Sequence, residues 1–354
     1  MEAFLKVLEE FMRAYPHINV EYRIYRAEDI ATIAPLQFAA GMTPGDVIFT
    51  AWGWWVAETG RKGHLLDLTG LVDRGEFTPG IFDPVTADGK IYGLPFTAFA
   101  KPGFWYRKSF FERHGLQEPK TWEEFLGLLD RIKNIPGIVA PIATGDGVGW
   151  PISDVTEHFI ITFGGPQLFL KLISGEVKFT DPQVRTIFEK YLVPLIKGRY
   201  FSEPVEWTKA VEEWWAGKYA LYFMGTWITG MVPDPNDLGF FPLPGATGAV
   251  MGTDYIFVPK YTKHQEEAKL LAKWLATEGQ KVHAGTKAGK FATWLKVGVK
   301  DHWTPMQVVY EKVAKLQPLP DMDDTVGGDW QRLFWDQLKL LWANPDRLDD
   351  VLKT

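Results

Sequence analysis

Tryptophans and isolated carboxylates are the residues of this sequence whose positions suggest a binding site. Trp52, Trp54 and Trp55 directly follow a predicted strand at Asp46–Phe49, and open parallel sheets bind ligands at the carboxyl ends of their strands. A Trp ring is large, rigid and amphipathic, so it can cover the apolar C–H face of a pyranose. We favour Trp52 and Trp54 as ligand contacts and expect at least one of the three rings to pack against the following helix.

Two aspartates could bind the hydroxyl rim of such a ring. Asp254 interrupts the apolar extended run Val250–Pro259, where a charge is costly unless it has a partner. It can accept hydrogen bonds from two sugar hydroxyls, or it can cap backbone N–H groups instead. Asp146 lies in the glycine-rich loop Gly145–Gly149, where turn formation is its competing role.

Motifs for catalysis or cofactor binding are absent from the sequence. It contains no HExxH, GxSxG, GxxxxGK[ST] or GxGxxG pattern. Its seven His show no metal-ligand spacing, and it has no Cys, which excludes disulfides and thiolate chemistry. We therefore predict no cofactor and no metal.

The bulk properties exclude several classes of protein. The 354 residues suffice for two domains. A net charge of −6 argues against nucleic-acid binding and against a polybasic membrane attachment. The sequence contains no run apolar enough to span a membrane, and Met1 leads straight into an amphipathic helix, so no signal peptide is expected. Only four Asn among 354 residues suggest a thermophilic source.

The first 50 residues alternate between helical and extended patterns. Apolar residues at helical spacing end at Pro16, Val20–Ile24 alternates as a strand, and a second helix stops at Gly41. With the short strand Asp46–Phe49, this alternation predicts a parallel sheet covered by helices.

The stretch Asp88–Phe125 carries the most specific pattern. A strand at Lys90–Pro95, an irregular crossing and a strand at Phe104–Arg107 precede a helix, and Thr121 and Glu124 then form a predicted capping box. This order resembles the first interlobe crossing of the family 1 extracellular solute-binding proteins of ABC sugar importers, which include maltose-binding protein. The run GKYALYFMGTW that ends at Trp227 resembles the same family.

This resemblance implies an α/β fold of the two-lobed, periplasmic-binding-protein-like type II, with a three-segment hinge and a ligand cleft between the lobes. Lobe one would comprise 1–100 and 255–292, and lobe two 104–250 and 296–354. The crossings would lie near 100–103, 251–254 and 292–295. The family's first strand, which precedes a helix corresponding to Glu2–Tyr15, would be lacking here.

The resemblance also implies functional residues. Trp227 and Trp330 correspond to family positions where an aromatic ring stacks on sugar. Trp150 lies near a point where the family often has an aromatic residue, so it could contact the ligand or pack in the core. Lys101 lies in the first crossing, where it could contact the ligand or be solvated. The expected function is binding of a small carbohydrate and its delivery to an ABC transporter permease. Such a protein would be an extracytoplasmic monomer without enzymatic activity.

Two alternatives compete with this interpretation. The same fold could bind a non-sugar solute such as glycerol phosphate or a polyamine, although the sequence shows neither an Arg cluster nor several acids in the crossings. A glycoside hydrolase would need paired carboxylates, for which only Asp254 and Asp329 come into question.

Overall fold

The computed structural model describes residues 2–354, apart from the side chain of Glu28, and divides the chain into two compact units. The first unit contains the chain up to Phe99 and Gly252–Tyr310. The second unit contains Ala100–Met251 and Glu311–Thr354. Each unit combines helices with strands, so the α/β class predicted from the sequence is observed.

Helices account for most of the regular structure. The α-helices of the described residues are α1 (Glu2–Ala14), α2 (Ala27–Ala39), α3 (Gly53–Arg61), α4 (Lys108–Arg113), α5 (Trp122–Lys133), α6 (Trp150–Ser174), α7 (Pro182–Ile187), α8 (Val193–Lys197), α9 (Trp207–Trp215), α10 (Gln265–Ala276), α11 (Glu278–Ala284), α12 (Thr304–Val313), α13 (Met322–Val326), α14 (Gly328–Ala343) and α15 (Leu348–Lys353). Within residues 2–354, none of these helices combines the length and apolar character needed to cross a bilayer.

Most strands are short. They are β1 (Ile48–Thr50), β2 (Thr86–Ala87), β3 (Lys90–Ile91), β4 (Leu94–Lys101), β5 (Gly103–Arg107), β6 (Ile142–Ala143), β7 (Gly145–Asp146), β8 (Val205–Glu206), β9 (Leu221–Met224), β10 (Leu238–Phe241), β11 (Gly248–Phe257) and β12 (Gln317–Leu319). Only β4 and β11 exceed five residues, and the chain passes from one unit to the other within each of these two strands.

The first unit is built around the second half of β11. Strand β1 pairs with it in antiparallel register, with Ile48 opposite Phe257 and Thr50 opposite Tyr255. The parallel pairing predicted from the β-α-β alternation of the first 50 residues is therefore wrong for β1. Side chains of α1, α10 and the strands form the core, which includes Val7, Phe11, Leu68, Phe77, Leu94, Ile256 and Leu275.

The strand predicted at Val20–Ile24 does not form. This segment is extended but belongs to no strand, and the side chains of Tyr22 and Ile24 are exposed. An alternating pattern becomes a strand only where a neighbour pairs its backbone and a core covers one face. Val20 packs against the core, but no strand of the described residues pairs with this segment, so the apolar alternation misleads.

The third boundary between the units also differs from the prediction. The chain leaves the first unit between Tyr310 and Glu311, beyond the predicted crossing at 292–295. The backbone N–H of Leu295 donates to the carbonyl of Glu76 at 2.8 Å, and the rings of Phe291 and Tyr310 meet edge to face at 5.4 Å. These contacts hold the segment 296–310, which was predicted in lobe two, in the first unit.

The second unit contains a four-stranded sheet in the order β10-β5-β9-β6. Strand β5 is antiparallel to β10 and β9, while β6 runs parallel to β9. Fully buried aromatic rings fill its core, among them Trp105, Phe125, Phe159, Trp214 and Tyr222.

The predicted helix start at Thr121 is confirmed with one change. The backbone N–H of Glu124 donates to the Thr121 hydroxyl at 3.1 Å, as a capping box requires. The Glu124 carboxylate, however, accepts from the N–H of Lys120 at 2.7 Å instead of reaching Thr121. The Glu124 carboxylate thus satisfies the backbone N–H of Lys120, the residue before the N-cap.

Candidate ligand-binding site

Three half-buried tryptophans of the second unit meet edge to face. The Trp150 ring lies 5.1 Å from the Trp207 ring and 5.7 Å from the Trp227 ring, measured between ring centroids. All three rings keep part of their surface exposed. We call this group the tryptophan cluster (Trp150, Trp207 and Trp227). It offers adjoining aromatic surfaces at different inclinations, which suits contact with a nonplanar apolar face.

The chain places each ring of the tryptophan cluster at the end of a short strand or the start of a helix. Trp150 is the first residue of α6, and Trp207 is the first residue of α9. Trp227 lies in a 3-10 turn after β9, and its ring covers Gly225 so closely that a Cβ there would lie 2.1 Å from it. Gly225 therefore leaves the space that the Trp227 ring occupies.

Asp146 adds a carboxylate near this cluster. Strand β7 pairs with β8 and places Asp146 opposite Glu206, the residue before Trp207. The Oδ1 atom of Asp146 is buried and has no hydrogen-bond partner among the described residues. An unpaired buried acceptor is costly, and a ligand hydroxyl can satisfy it.

Lys101 connects the tryptophan cluster to buried acids. Its ammonium lies 5.7 Å from the centre of the Trp150 ring, and it donates at 2.5 Å to both Asp154 and Asp321. The side chain is only 5% exposed. The predicted ligand contact of Lys101 stays a prediction, and the contacts observed are a buried ion-pair network with an aromatic neighbour.

The electrostatics of this network follow from burial and from the shared lysine. Burial raises the pKa of Asp154 to about 7, although Lys101 acts in the opposite direction. Burial alone would lower the pKa of Lys101 and favour its neutral form. The neighbouring Asp154 and Asp321 instead hold the pKa of Lys101 well above the usual value. Burial likewise disfavours the charge of Asp321, but the charge of Lys101 and the hydrogen bonds to the carboxyl together keep the pKa of Asp321 below its usual value. The charged lysine is thus stabilised by the acids around it.

In the first unit, Trp52 and Trp54 stack on each other. Their ring centroids lie 6.1 Å apart with an interplanar angle of 20°, and both rings are half-buried. The Nε1 atom of Trp54 is buried without a hydrogen-bond partner among the described residues. Trp55 instead is buried and contacts the Phe257 ring at 5.4 Å, so it is the ring of this trio that packs into the core.

Asp254 forms a polar group in the first unit together with a lysine. Lys290 donates to Asp254 Oδ2 at 3.1 Å, and its ammonium lies 4.7 Å from the centre of the Phe99 ring. Both charged side chains retain some exposure, 29% for Asp254 and 17% for Lys290. A carboxylate and an ammonium held side by side can accept from one sugar hydroxyl and donate to its neighbour.

The Trp330 ring packs against aromatic rings other than those of the tryptophan cluster. Its ring stacks on Phe334 at 4.8 Å and approaches Phe179 at 6.2 Å. These side chains line a separate cavity of about 300 Å³ next to the last residues of the chain. Asp329, the second acid considered for hydrolysis, is fully exposed and pairs only with Arg332.

Sequence reasoning missed Trp207 and the buried acids. Trp207 is not among the predicted ligand contacts, although it opens a helix after a short strand as Trp150 does. Asp154 and Glu157 stand three residues apart in an otherwise apolar helical stretch, a spacing that places both on one face. This pair of acids in an apolar helix is the feature of the sequence that indicates the buried acids.

Comparison with known proteins gives the family to which the chain belongs. Residues 1–282 match the family described as bacterial extracellular solute-binding protein, and the chain belongs to it. A relative 64% identical over 354 residues is an uncharacterized ABC transporter extracellular-binding protein of Pyrococcus horikoshii. The match covers 100% of this chain and 84% of the relative. The predicted family membership is confirmed.

Solved structures confirm the two-lobed fold class. The bacterial solute receptor AcbH, described as exclusively preferring β-D-galactopyranose, matches with a TM-score of 0.89 at 19% identity, over 99% of this chain and 93% of that chain. UgpB from Mycobacterium tuberculosis in complex with glycerophosphocholine matches with a TM-score of 0.79 at 16% identity, over 99% and 92% of the two chains. Since this fold occurs with different ligands, the ligand of this chain must be argued from its own residues.

Proposed function

We propose that the chain binds a small carbohydrate, from a monosaccharide to a short oligosaccharide, and delivers it to the permease of an ABC importer. The observation that carries this proposal is the tryptophan cluster together with the unpaired carboxylate oxygen of Asp146. Aromatic rings for apolar sugar faces and acceptors for hydroxyls are the two features that sugar binding needs.

The ligand-contact residues that we propose come from both units. In the second unit they are Trp150, Trp207, Trp227 and Asp146, and in the first unit Trp52, Trp54, Asp254 and Lys290. Closure of the two lobes on the ligand, expected from the family resemblance, completes the proposed mechanism, since a permease can then distinguish the loaded protein. The family supports an extracytoplasmic location, and the Pyrococcus relative supports a thermophilic source. We further propose that the protein acts as a monomer.

The non-sugar alternative predicts different chemistry. Glycerol phosphate would need cationic groups for its phosphate, whereas the charge of Lys101 is balanced by Asp154 and Asp321. A polyamine would need several unneutralised acids within its reach, whereas one oxygen of Asp254 already binds Lys290 and the acids around Lys101 are buried. Both features favour a neutral ligand. The family is one of transport proteins, and we infer that the chain catalyses no reaction.

A ligand panel tests this proposal directly. We would titrate the intact chain with glucose, galactose, mannose, xylose, maltose, trehalose, cellobiose, glycerol 3-phosphate and spermidine, and measure binding heat and tryptophan fluorescence. A sugar should bind with a Kd in the micromolar range or below, which corresponds to roughly −8 kcal/mol. Binding of glycerol 3-phosphate or spermidine alone would contradict the carbohydrate assignment, and release of reducing sugar from a glycoside panel would contradict the absence of catalysis.

Variants then test the site. Trp227→Ala should weaken the binding of the identified sugar at least about tenfold, a loss of roughly 1.4 kcal/mol, because a stacking surface is removed. Trp215→Ala is the matched control, since Trp215 is also a half-buried tryptophan of the second unit but packs under Arg107 at 4.0 Å. Equal sugar affinities of the two variants would refute the proposed site.

A further inference from the structure

The interior of the second unit contains a group of acids that the proposed sugar site does not use. Asp154 and Glu157 come from α6, while Asp321 and Asp323 lie at the start of α13. Each of the four residues is at most 4% exposed. We call them the acid pocket.

The acid pocket carries more negative charge than its cation can balance. Lys101 is the ammonium that contacts it, and it binds one oxygen each of Asp154 and Asp321. If the four carboxyls were all ionised, three negative charges would stay uncompensated. Buried charges of this kind are strongly unfavourable unless they are paired, protonated or bound to a metal.

Hydrogen bonds hold one oxygen of each of the other two acids. The backbone N–H of Met322 donates to Glu157 Oε1 at 2.6 Å. Asp323 Oδ2 accepts from the Ser153 hydroxyl at 3.2 Å and from the Trp335 indole at 2.6 Å. These contacts fix the carboxyl groups in place, so their second oxygens are held in preset positions.

Those second oxygens are the unexplained feature of the pocket. Asp154 Oδ2, Glu157 Oε2, Asp321 Oδ1 and Asp323 Oδ1 are buried, and none has a hydrogen-bond partner within residues 2–354. A buried acceptor without a partner costs about 1–3 kcal/mol, and more when it is charged. Four such oxygens in one group indicate a ligand that satisfies several of them together.

We propose that Asp154, Glu157 and Asp321 bind one divalent, oxygen-preferring cation of the Ca²⁺ type inside the second unit. The three residues each offer a carboxylate oxygen, and these oxygens lie within 4.8 Å of one another. Oxygens on opposite sides of a calcium ion lie about 4.6–5.2 Å apart, which is twice a bond length of about 2.3–2.6 Å. The three carboxylates therefore fit around one such ion.

Asp323 is not one of the three proposed ligands, but its environment supports the same cation site. It is 1% exposed, its Oδ1 atom is unpaired, and it interacts electrostatically with Asp321. Trp335 and Ser153 orient the Asp323 carboxyl, as outer groups orient metal ligands in known sites. A divalent ion would compensate two of the three excess charges of the acid pocket.

Protonation of the carboxyls is the competing way to neutralise the acid pocket. Burial and the neighbouring Asp321 raise the pKa of Glu157 and of Asp323 well above their usual values. Carboxyls protonated in this way would donate to their neighbours and satisfy the same oxygens. The two explanations differ in one measurable respect, because only the cation site binds calcium with a fixed stoichiometry.

Terbium luminescence and calorimetry on the intact chain separate these explanations. The chain is stripped with EDTA, returned to metal-free buffer and titrated with Ca²⁺, and separately with Tb³⁺ under tryptophan excitation. Trp335 hydrogen-bonds to Asp323 and is placed to sensitise a bound terbium ion. We expect one Ca²⁺ per chain, terbium emission that Ca²⁺ displaces, and a melting temperature a few degrees higher in Ca²⁺ than in EDTA.

Glu157→Gln is the test variant, because the amide keeps the acceptor for Met322 while removing the charge. Asp336→Asn, at an exposed position of α14, is the matched control. We expect at least a tenfold loss of Ca²⁺ affinity in Glu157→Gln and none in Asp336→Asn. A folded wild-type chain that shows no calcium heat, no terbium emission and identical melting in Ca²⁺ and EDTA would overturn the proposal and assign the pocket to protons. This wild-type result holds even if Glu157→Gln fails to fold.

Discussion

The ammonium of Lys101 lies 5.7 Å from the centre of the Trp150 ring and is bound at the same time by Asp154 and Asp321. One residue therefore contacts both the acid pocket and the tryptophan cluster. A cation over an indole ring is attracted to its face, so Lys101 helps to orient Trp150. Any change in the acid pocket that displaces Lys101 should also disturb this ring.

Lys101→Met should destabilise the protein strongly. Removing one partner of a buried ion pair leaves uncompensated carboxylates, which typically costs about 3–5 kcal/mol. Guanidinium unfolding at neutral pH measures the loss. Lys62→Met is the control, since the Lys62–Glu58 pair is largely exposed and should contribute under about 1 kcal/mol. Equal unfolding free energies of the two variants would show that the buried network contributes no stability.

Asp146→Asn should weaken sugar binding without destabilising the ligand-free protein. Because Asp146 Oδ1 has no partner among the described residues, loss of its charge should leave the ligand-free protein at least as stable as the wild type. Affinity for the identified sugar should fall about tenfold or more, since a hydrogen bond to a charged group contributes about 1.5–3 kcal/mol. Calorimetry and unfolding of the same samples check both parts. An unchanged sugar affinity would remove Asp146 from the site.

Gly149→Ala should be much more costly than Gly137→Ala. Both glycines have positive φ angles, +111° and +88°, which strain any other residue. A Cβ at Gly149 would also lie 2.6 Å from Cβ of Trp335, whereas a Cβ at Gly137 meets no atom within 4 Å. The difference in unfolding free energy should exceed about 2 kcal/mol. Similar values would show that Trp335 moves aside easily.

His283 should make stability fall at acid pH. Burial, with help from Lys290, lowers the pKa of His283 to about 3, whereas an unfolded His has a pKa near 6.5. Between these values the unfolded chain binds the extra proton, so stability is full above about pH 6.5 and falls by about 1.4 kcal/mol per unit as pH drops toward 3. His283→Gln should reduce the slope by this amount in urea unfolding across that range, while His158, whose pKa burial also lowers to about 3, should keep its own contribution. The exposed His264→Gln variant should keep the full slope.

The sequence predicts local features of this fold better than distant ones. The Thr121 cap and the helix start at Trp122 follow from residues next to each other in the chain. The partners of Lys101 come from positions 53 and 220 residues away, and no local pattern pairs them. Val20–Ile24 failed as a strand because strand formation depends on a neighbour that alternation does not reveal.

The candidate site, too, could be predicted from the sequence only in part. Trp150 and Trp227 were predicted from the family resemblance, and the structure brings them together. Trp207 could not be chosen over other helical tryptophans from the sequence, because only the pairing of β7 with β8 brings it beside Asp146. Trp330 was predicted by the same resemblance; its ring neighbours are Phe179 and Phe334, and its contact with a ligand stays a prediction.

The close edge-to-face contacts within the tryptophan cluster have an optical consequence. Indole rings 5.1 and 5.7 Å apart couple their electronic transitions, so the cluster should produce an exciton couplet in circular dichroism. A ligand that tilts one ring changes the angle between the transition dipoles and hence the couplet. The protein therefore carries an intrinsic, label-free reporter of occupancy.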